Sequence, residues 1–74
     1  MYGLSAAHKT LPFGTILEVT NRNSKKSVRV RINDRGPFVR GRGLDLSYQA
    51  AKNIDLIRDG TGEVYVRIIR LGTE

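Results

Sequence analysis

Residues 27–32 alternate strictly in side-chain character, and this alternation constrains the fold more than any other feature of the chain. Apolar Val28, Val30 and Ile32 occupy every second position, and polar residues occupy the positions between them. Because successive side chains of an extended strand point to opposite faces, the pattern predicts a β-strand with one buried face and one solvated face.

The neighbouring segments predict a hairpin followed by a short strand and a helix. Residues 15–21 are rich in β-branched side chains, and a polar turn at residues 22–25 joins them to the alternating strand, which predicts an antiparallel hairpin. Leu44–Leu46 is a candidate short strand. Ser47 is a plausible N-cap for a brief helix over residues 48–53, which are mostly good helix formers.

The last predicted strand is the longest and completes an all-β pattern. It covers residues 63–71 and places Val64, Val66 and Ile68 on one face, after a glycine-containing turn at residues 59–62. Several short strands with one short helix favour a small barrel over a sandwich.

Length and composition indicate a single domain over residues 1–74 with a small core, because a chain of this size buries only about 60% of its unfolded surface. The absence of cysteine and the single histidine argue against a disulfide framework and a transition-metal site. No apolar run approaches the roughly 20 residues of a transmembrane helix. The net charge of +6 favours an anionic partner such as nucleic acid, an anionic membrane surface or an acidic cell-wall polymer.

Two aspartates stand in a segment rich in arginine and glycine. If Leu44 and Leu46 face the core, Asp45 faces the opposite side, where a carboxylate against apolar walls can donate a proton near neutral pH. Alternatively, Asp45 caps the following helix or pairs with Arg42. Asp34 precedes a turn, so it forms an Asx-turn or an ion pair, or it acts as a second carboxylate towards a polar substrate.

His8 is a third candidate, in a segment that predicts a fixed loop. A lone histidine is usually a hydrogen-bonded structural residue, although its chemistry also suits proton transfer. No catalytic triad, phosphate loop or metal motif is present. The basic surface lacks an RNA-binding aromatic pattern and a recognition helix, so we expect no nucleic-acid partner.

Several blocks of the sequence closely resemble the rare lipoprotein A family. The resemblance is carried by "AAHKTLPFGT" at residues 6–15, "SVRVRINDRGPF" at 27–38, "GR" at 41–42 and "DLS" at 45–47, and it covers nearly the whole chain. This family is grouped with expansins, barwin-like proteins and the membrane-bound lytic transglycosylase A group. It implies a six-stranded double-psi β-barrel with one short helix.

The resemblance also implies a function. Such proteins are lytic transglycosylases of the bacterial cell envelope that cleave bonds between N-acetylmuramic acid and N-acetylglucosamine in glycan strands stripped of stem peptides, leaving 1,6-anhydro ends. It implies catalytic roles for Asp45, Asp34 and His8, with no metal or cofactor. The residues it implies for substrate binding are Lys9, Arg35, Gly36, Pro37, Phe38, Arg42 and Ser47.

The chain departs from the family pattern at two places. Family members carry a further N-terminal strand and an acidic residue upstream of the position of Met1, so we expect a domain excised from a longer periplasmic lipoprotein or secreted protein. Such a domain would lack one barrel strand, have an edge open to dimerisation, and bind glycan as an expansin-like module if the upstream acid is required for cleavage. Asp55 stands where relatives usually carry glycine, and a left-handed conformation there would cost about 1 kcal/mol.

Overall fold

The computed structural model describes residues 4–37, 43–56 and 63–73. These residues form one curled sheet in the strand order β4-β1-β3-β2-β5, with β1 parallel to β3 and all other neighbours antiparallel. The all-β class with one short helix is confirmed. In chain order the elements are β1 (Ser5–His8), β2 (Ile16–Asn21), β3 (Ser27–Asp34), β4 (Leu44–Leu46), α1 (Tyr48–Asn53) and β5 (Val64–Arg70).

The predicted hairpin is confirmed as β2 and β3, and its apolar face forms most of the core. Leu17 pairs with Val30 and Val19 pairs with Val28, and all four side chains are buried. Burying an aliphatic side chain of this size contributes roughly 1.5–3 kcal/mol, so the alternation in β3 is itself a main source of stability. Further buried members of the core are Ala6, Ile32, Ala50 and Ile54.

Helix α1 also follows the sequence prediction, including its start. The Ser47 Oγ accepts a hydrogen bond from the Ala50 backbone N–H at 3.3 Å, as an N-cap does. Asp55, just beyond the helix, has a φ of 66°, which confirms that this position is left-handed. Within the described residues, no helix is long and apolar enough to cross a membrane.

Strand β1 was not predicted, although it lies inside the sheet. It is only four residues long and shows no clear apolar alternation, so nothing local marks it as a strand. It forms because β3 and β4 both supply hydrogen-bonding edges, β3 in parallel and β4 in antiparallel pairing. This pairing over a long sequence separation determines where the candidate site lies.

Strand β5 confirms the predicted face but lies at an edge of the described sheet. Val66 pairs with Val19 and Ile68 pairs with Leu17, so both lie on the core side. They are nevertheless 48% and 50% exposed, because no described element packs over this part of the sheet. The turn predicted at residues 59–62 lies outside the described residues.

Candidate active site

Asp34 and Asp45 lie on either side of one alanine. Ala7 of β1 is the Cα partner of Asp34 in β3 and of Asp45 in β4. Directly paired residues share a sheet face, and neighbouring strands are about 4.8 Å apart, so the two aspartate Cα atoms are separated by about 10 Å. Ala7 contributes only a methyl group between the two aspartates at this register position.

A bulge in β3 brings Asp34 to this face. Ala6 pairs with Ile32 and the next residue, Ala7, pairs with Asp34, so Asn33 has no partner in β1. Strict alternation would send Asp34 to the buried face that carries Ile32. The extra residue in β3 turns the Asp34 side chain to the opposite face, and Asn33 and Asp34 are both exposed. The sequence signal for this bulge is the run of two polar residues at the end of an otherwise strict alternation.

The Asp34 carboxylate is held by the backbone that follows it. Its Oδ1 accepts a hydrogen bond from the N–H of the next residue, Arg35, at 2.8 Å, whereas the Asx-turn considered from the sequence would use the N–H two residues on. The chain then passes into buried Gly36 and Pro37. Gly36 has a φ of 131°, a conformation that residues with side chains rarely adopt. These two predicted substrate-binding residues therefore shape the backbone beneath the acid.

The Arg35 side chain packs against the loop that follows β1. Its Nη1 donates to the carbonyl oxygens of Leu11 at 2.7 Å and His8 at 3.3 Å. Its guanidinium carbon lies 4.2 Å from the centroid of the Phe13 ring, within cation–π range. The arginine thus ties the loop after β1 to the end of β3.

His8 stabilises the same loop from the other end. Its Nδ1 accepts hydrogen bonds from the backbone N–H groups of Leu11 at 3.0 Å and Thr10 at 3.1 Å. A nitrogen that accepts two N–H groups carries no proton, so the ring proton of the neutral imidazole lies on Nε2. Alternation along β1 turns His8 away from the face of Ala7, so the register does not place it between the two acids.

The remaining predicted site residues are dispersed. Lys9 is exposed at the start of the loop. Ser47 is part-buried, and its Oγ accepts from the Ser5 N–H at 3.3 Å in addition to capping α1. Phe38 and Arg42 lie outside the described residues. Asp45 is exposed, with Leu44 and Leu46 packed against the core as expected, so the apolar walls expected around its carboxylate are not formed by the described residues.

A basic groove that the sequence did not reveal lies next to Asp34. It has a volume of about 580 Å³ and reaches Asn33, the residue before Asp34. The outward orientation of Arg31 was predictable from the alternation in β3. The second arginine of the groove, Arg70, comes from the end of β5, and no local pattern places it near Arg31. Among the residues that line it are Phe13, Gly14, Arg31, Arg70 and Leu71. Within the described residues, no group of three or more histidine and acidic side chains could hold a metal ion.

Fold and site together define a small β-barrel domain that carries an acidic pair on one sheet face, next to a basic groove. A family model described as lytic transglycolase matches residues 1–66, and the chain belongs to this family, whose double-psi β-barrel fold is thereby confirmed.

Curated relatives agree with this assignment. An "Endolytic peptidoglycan transglycosylase RlpA" of Campylobacter jejuni is 56% identical over 70 residues, which are 95% of this chain and 26% of that protein. A "Probable endolytic peptidoglycan transglycosylase RlpA" of Aquifex aeolicus is 54% identical over 67 residues, 90% of this chain and 30% of the relative. An "Endolytic peptidoglycan transglycosylase RlpA" of Vibrio cholerae is 51% identical over 69 residues, which are 93% of this chain and 26% of that protein. The chain thus spans less than a third of the length of each of these relatives.

Proposed function

We propose that the chain is a lytic transglycosylase domain that cleaves the bond between N-acetylmuramic acid and N-acetylglucosamine in glycan strands stripped of stem peptides. The observation that carries the proposal is the acidic pair across Ala7 on one sheet face, with a basic groove next to Asp34, in a chain that belongs to the lytic transglycolase family. The names of the relatives supply the substrate, peptidoglycan.

Asp45 acts as acid and then as base. Its proton passes to the glycosidic oxygen as the bond to C1 breaks, and the resulting carboxylate takes the proton of the C6 hydroxyl as O6 attacks C1. The product is a 1,6-anhydro end, and no water is consumed. A hydrolase would need a second carboxylate to activate water or to attack C1, whereas the intramolecular hydroxyl is already held close to its target. Because Asp45 is exposed, we infer that the bound glycan itself excludes water from the carboxyl group.

Asp34 and His8 support this step. Asp34 lies one strand beyond Ala7 and is fixed by the Arg35 N–H, so it suits a hydrogen bond to a sugar hydroxyl of the bound strand. His8 fixes the loop that borders the site, and its Nε2–H is the ring group that can donate to the glycan. Lys9 adds positive charge at the same loop. Phe38 and Arg42 are proposed as glycan contacts on the resemblance alone.

The test is the appearance of 1,6-anhydro ends, detected by mass spectrometry, when the chain is incubated with peptide-free glycan strands. Asp45→Asn should abolish the product and Asp34→Asn should reduce it. Asp55→Asn is the matched control, because it makes the same chemical change at an exposed carboxylate in an ion pair with Lys26. Unchanged product from Asp45→Asn would remove Asp45 from this role, and a larger loss in Asp34→Asn would transfer the role to Asp34.

An expansin-like glycan-binding module is the second candidate. It is favoured by the structural use of several motif side chains, since Arg35 and Ser47 bond to the backbone of this domain. The two functions separate in one experiment: co-sedimentation with peptidoglycan and no new anhydro ends indicates a binding module.

We further propose that the domain works in the periplasm as part of an outer-membrane lipoprotein or a secreted protein, and that two copies pair through β5. The supporting observation for pairing is that Val66 and Ile68 are half-exposed on an edge strand of the described sheet. A monodisperse monomer in sedimentation velocity at micromolar concentration would contradict the dimer, and fractionation of cells would test the compartment.

A further inference from the structure

The basic groove holds two arginines that converge from different strands. Arg31 of β3 and Arg70 of β5 are both Cα partners of Ile16 in β2, on its two sides. Their Cα atoms are therefore about 10 Å apart on one sheet face, a span that two long side chains can close onto a single anion. A second bulge, which leaves Ile69 without a partner in β2, brings Arg70 to this face.

No described residue neutralises either guanidinium group. Arg67, on the same sheet face, lies 3.0 Å from the Glu18 carboxylate, whereas Arg31 and Arg70 make no ion pair with any described residue. The predicted groove cation Arg35, by contrast, already bonds to two backbone carbonyls. Two uncompensated guanidinium groups at one groove favour a carboxylate, which accepts two hydrogen bonds from each planar fork.

The rest of the groove fits a carboxylate with a small apolar neighbour. The Phe13 ring and the Leu71 side chain are 40% and 57% exposed and form apolar parts of the wall. Gly14 and Gly72 also line the groove and add no side chain to it. The Asn33 amide adds a polar group at the end nearest the acids.

We propose that this groove is a carboxylate-binding subsite in which Arg31 and Arg70 together hold the lactyl carboxylate of an N-acetylmuramic acid unit, with the lactyl methyl group against Phe13 and Leu71. The inference rests on the proposed function, since it takes a peptide-free glycan strand as the ligand. Arg31 pairs with Ser5, and Asp45 pairs with Ala7 on the other side of β1, so the Cα atoms of Arg31 and Asp45 are about 12 Å apart, which is comparable to one disaccharide repeat. The subsite therefore holds a muramic acid unit one repeat away from the bond being cleaved.

The test compares three labelled probes by fluorescence anisotropy: peptide-free glycan strands, the same strands with their lactyl carboxylates converted to methylamides, and chitin oligosaccharides, which lack the lactyl group. We expect wild type to bind the carboxylate strands at least about tenfold more tightly than either neutral probe, because the neutral probes cannot form charge-assisted hydrogen bonds with the two arginines. Arg31→Gln and Arg70→Gln should each remove most of that preference.

Arg29→Gln is the matched control, because Arg29 lies on the same face of β3, makes no ion pair with a described residue and does not line the groove. It should keep the preference and change only the salt dependence. Equal binding of carboxylate and methylamide strands by wild type, or an equal loss in Arg29→Gln, would overturn the subsite. Anhydro ends formed without any carboxylate preference would overturn the subsite alone. Carboxylate-dependent binding without anhydro ends would overturn the cleavage proposal alone.

Discussion

Replacing Gly72 by alanine should destabilise the domain more than a single added methyl group ordinarily does. The new Cβ would lie 2.0 Å from the Phe13 carbonyl oxygen and 2.6 Å from the Thr15 nitrogen. Both are backbone atoms and cannot turn away, so the end of β5 must separate from the loop. The Gly72 N–H would then lose its 2.9 Å bond to the Thr15 Oγ1.

The magnitude follows from these two effects. Inserting a methyl group into a closely packed contact costs about 1–3 kcal/mol, and a lost hydrogen bond adds about 1 kcal/mol, so Gly72→Ala should lower the free energy of unfolding by about 2–4 kcal/mol. For a domain of this size, each kcal/mol lowers the melting temperature by roughly 4–8 °C. Urea and thermal unfolding, followed by circular dichroism, measure both quantities.

Gly43→Ala is the control for this prediction. An added Cβ at Gly43 meets no atom of the described residues within 4 Å, so this variant should unfold within about 0.5 kcal/mol of wild type. Equal stability of Gly72→Ala and Gly43→Ala would refute the reasoning, because it would show that the loop and the end of β5 do not approach each other as described. Since Gly72 lines the basic groove, Gly72→Ala should also weaken glycan binding.

Three further predictions concern single side chains. Arg35→Lys should cost about 1–3 kcal/mol of unfolding free energy in urea titrations, because an ammonium group cannot reproduce both carbonyl bonds and the ring contact. Unchanged stability would show that the contacts of Arg35 with the loop after β1 do not stabilise the domain. Ser47→Ala should cost about 1 kcal/mol through loss of the helix cap, and no change in urea midpoint would argue against that cap. Ile68→Lys should shift sedimentation towards monomer if β5 is the dimer edge, whereas Tyr48→Lys, a change at another exposed apolar residue, should leave the oligomeric state unchanged.

Local sequence patterns predicted the elements whose signal lies within one segment. The alternation of residues 27–32, the polar turn and the β-branched run together specify the hairpin, since burial of one face requires that register. Ser47 predicted the start of α1, because the cap acts within a single turn. The positive φ at Asp55 is consistent with the glycine that the resemblance places there, although the sequence raised a left-handed backbone only as a condition.

The site itself depended on contacts between distant segments. Nothing in residues 5–8 predicts a strand, yet β1 is the element that separates the two aspartates. The chemical role of Arg35 could not be read from its position among other arginines, because its partners are backbone carbonyls of the preceding loop.

The sequence by itself therefore determined the hairpin, the helix and the two acidic residues, because periodicity, capping and side-chain chemistry are local properties. Only the tertiary structure decided that Asp34 and Asp45 share a face across Ala7 and that Arg31 and Arg70 flank Ile16. The physical reason is that these pairs are set by strand order and by two bulges. Both depend on which distant segments bury their apolar faces together.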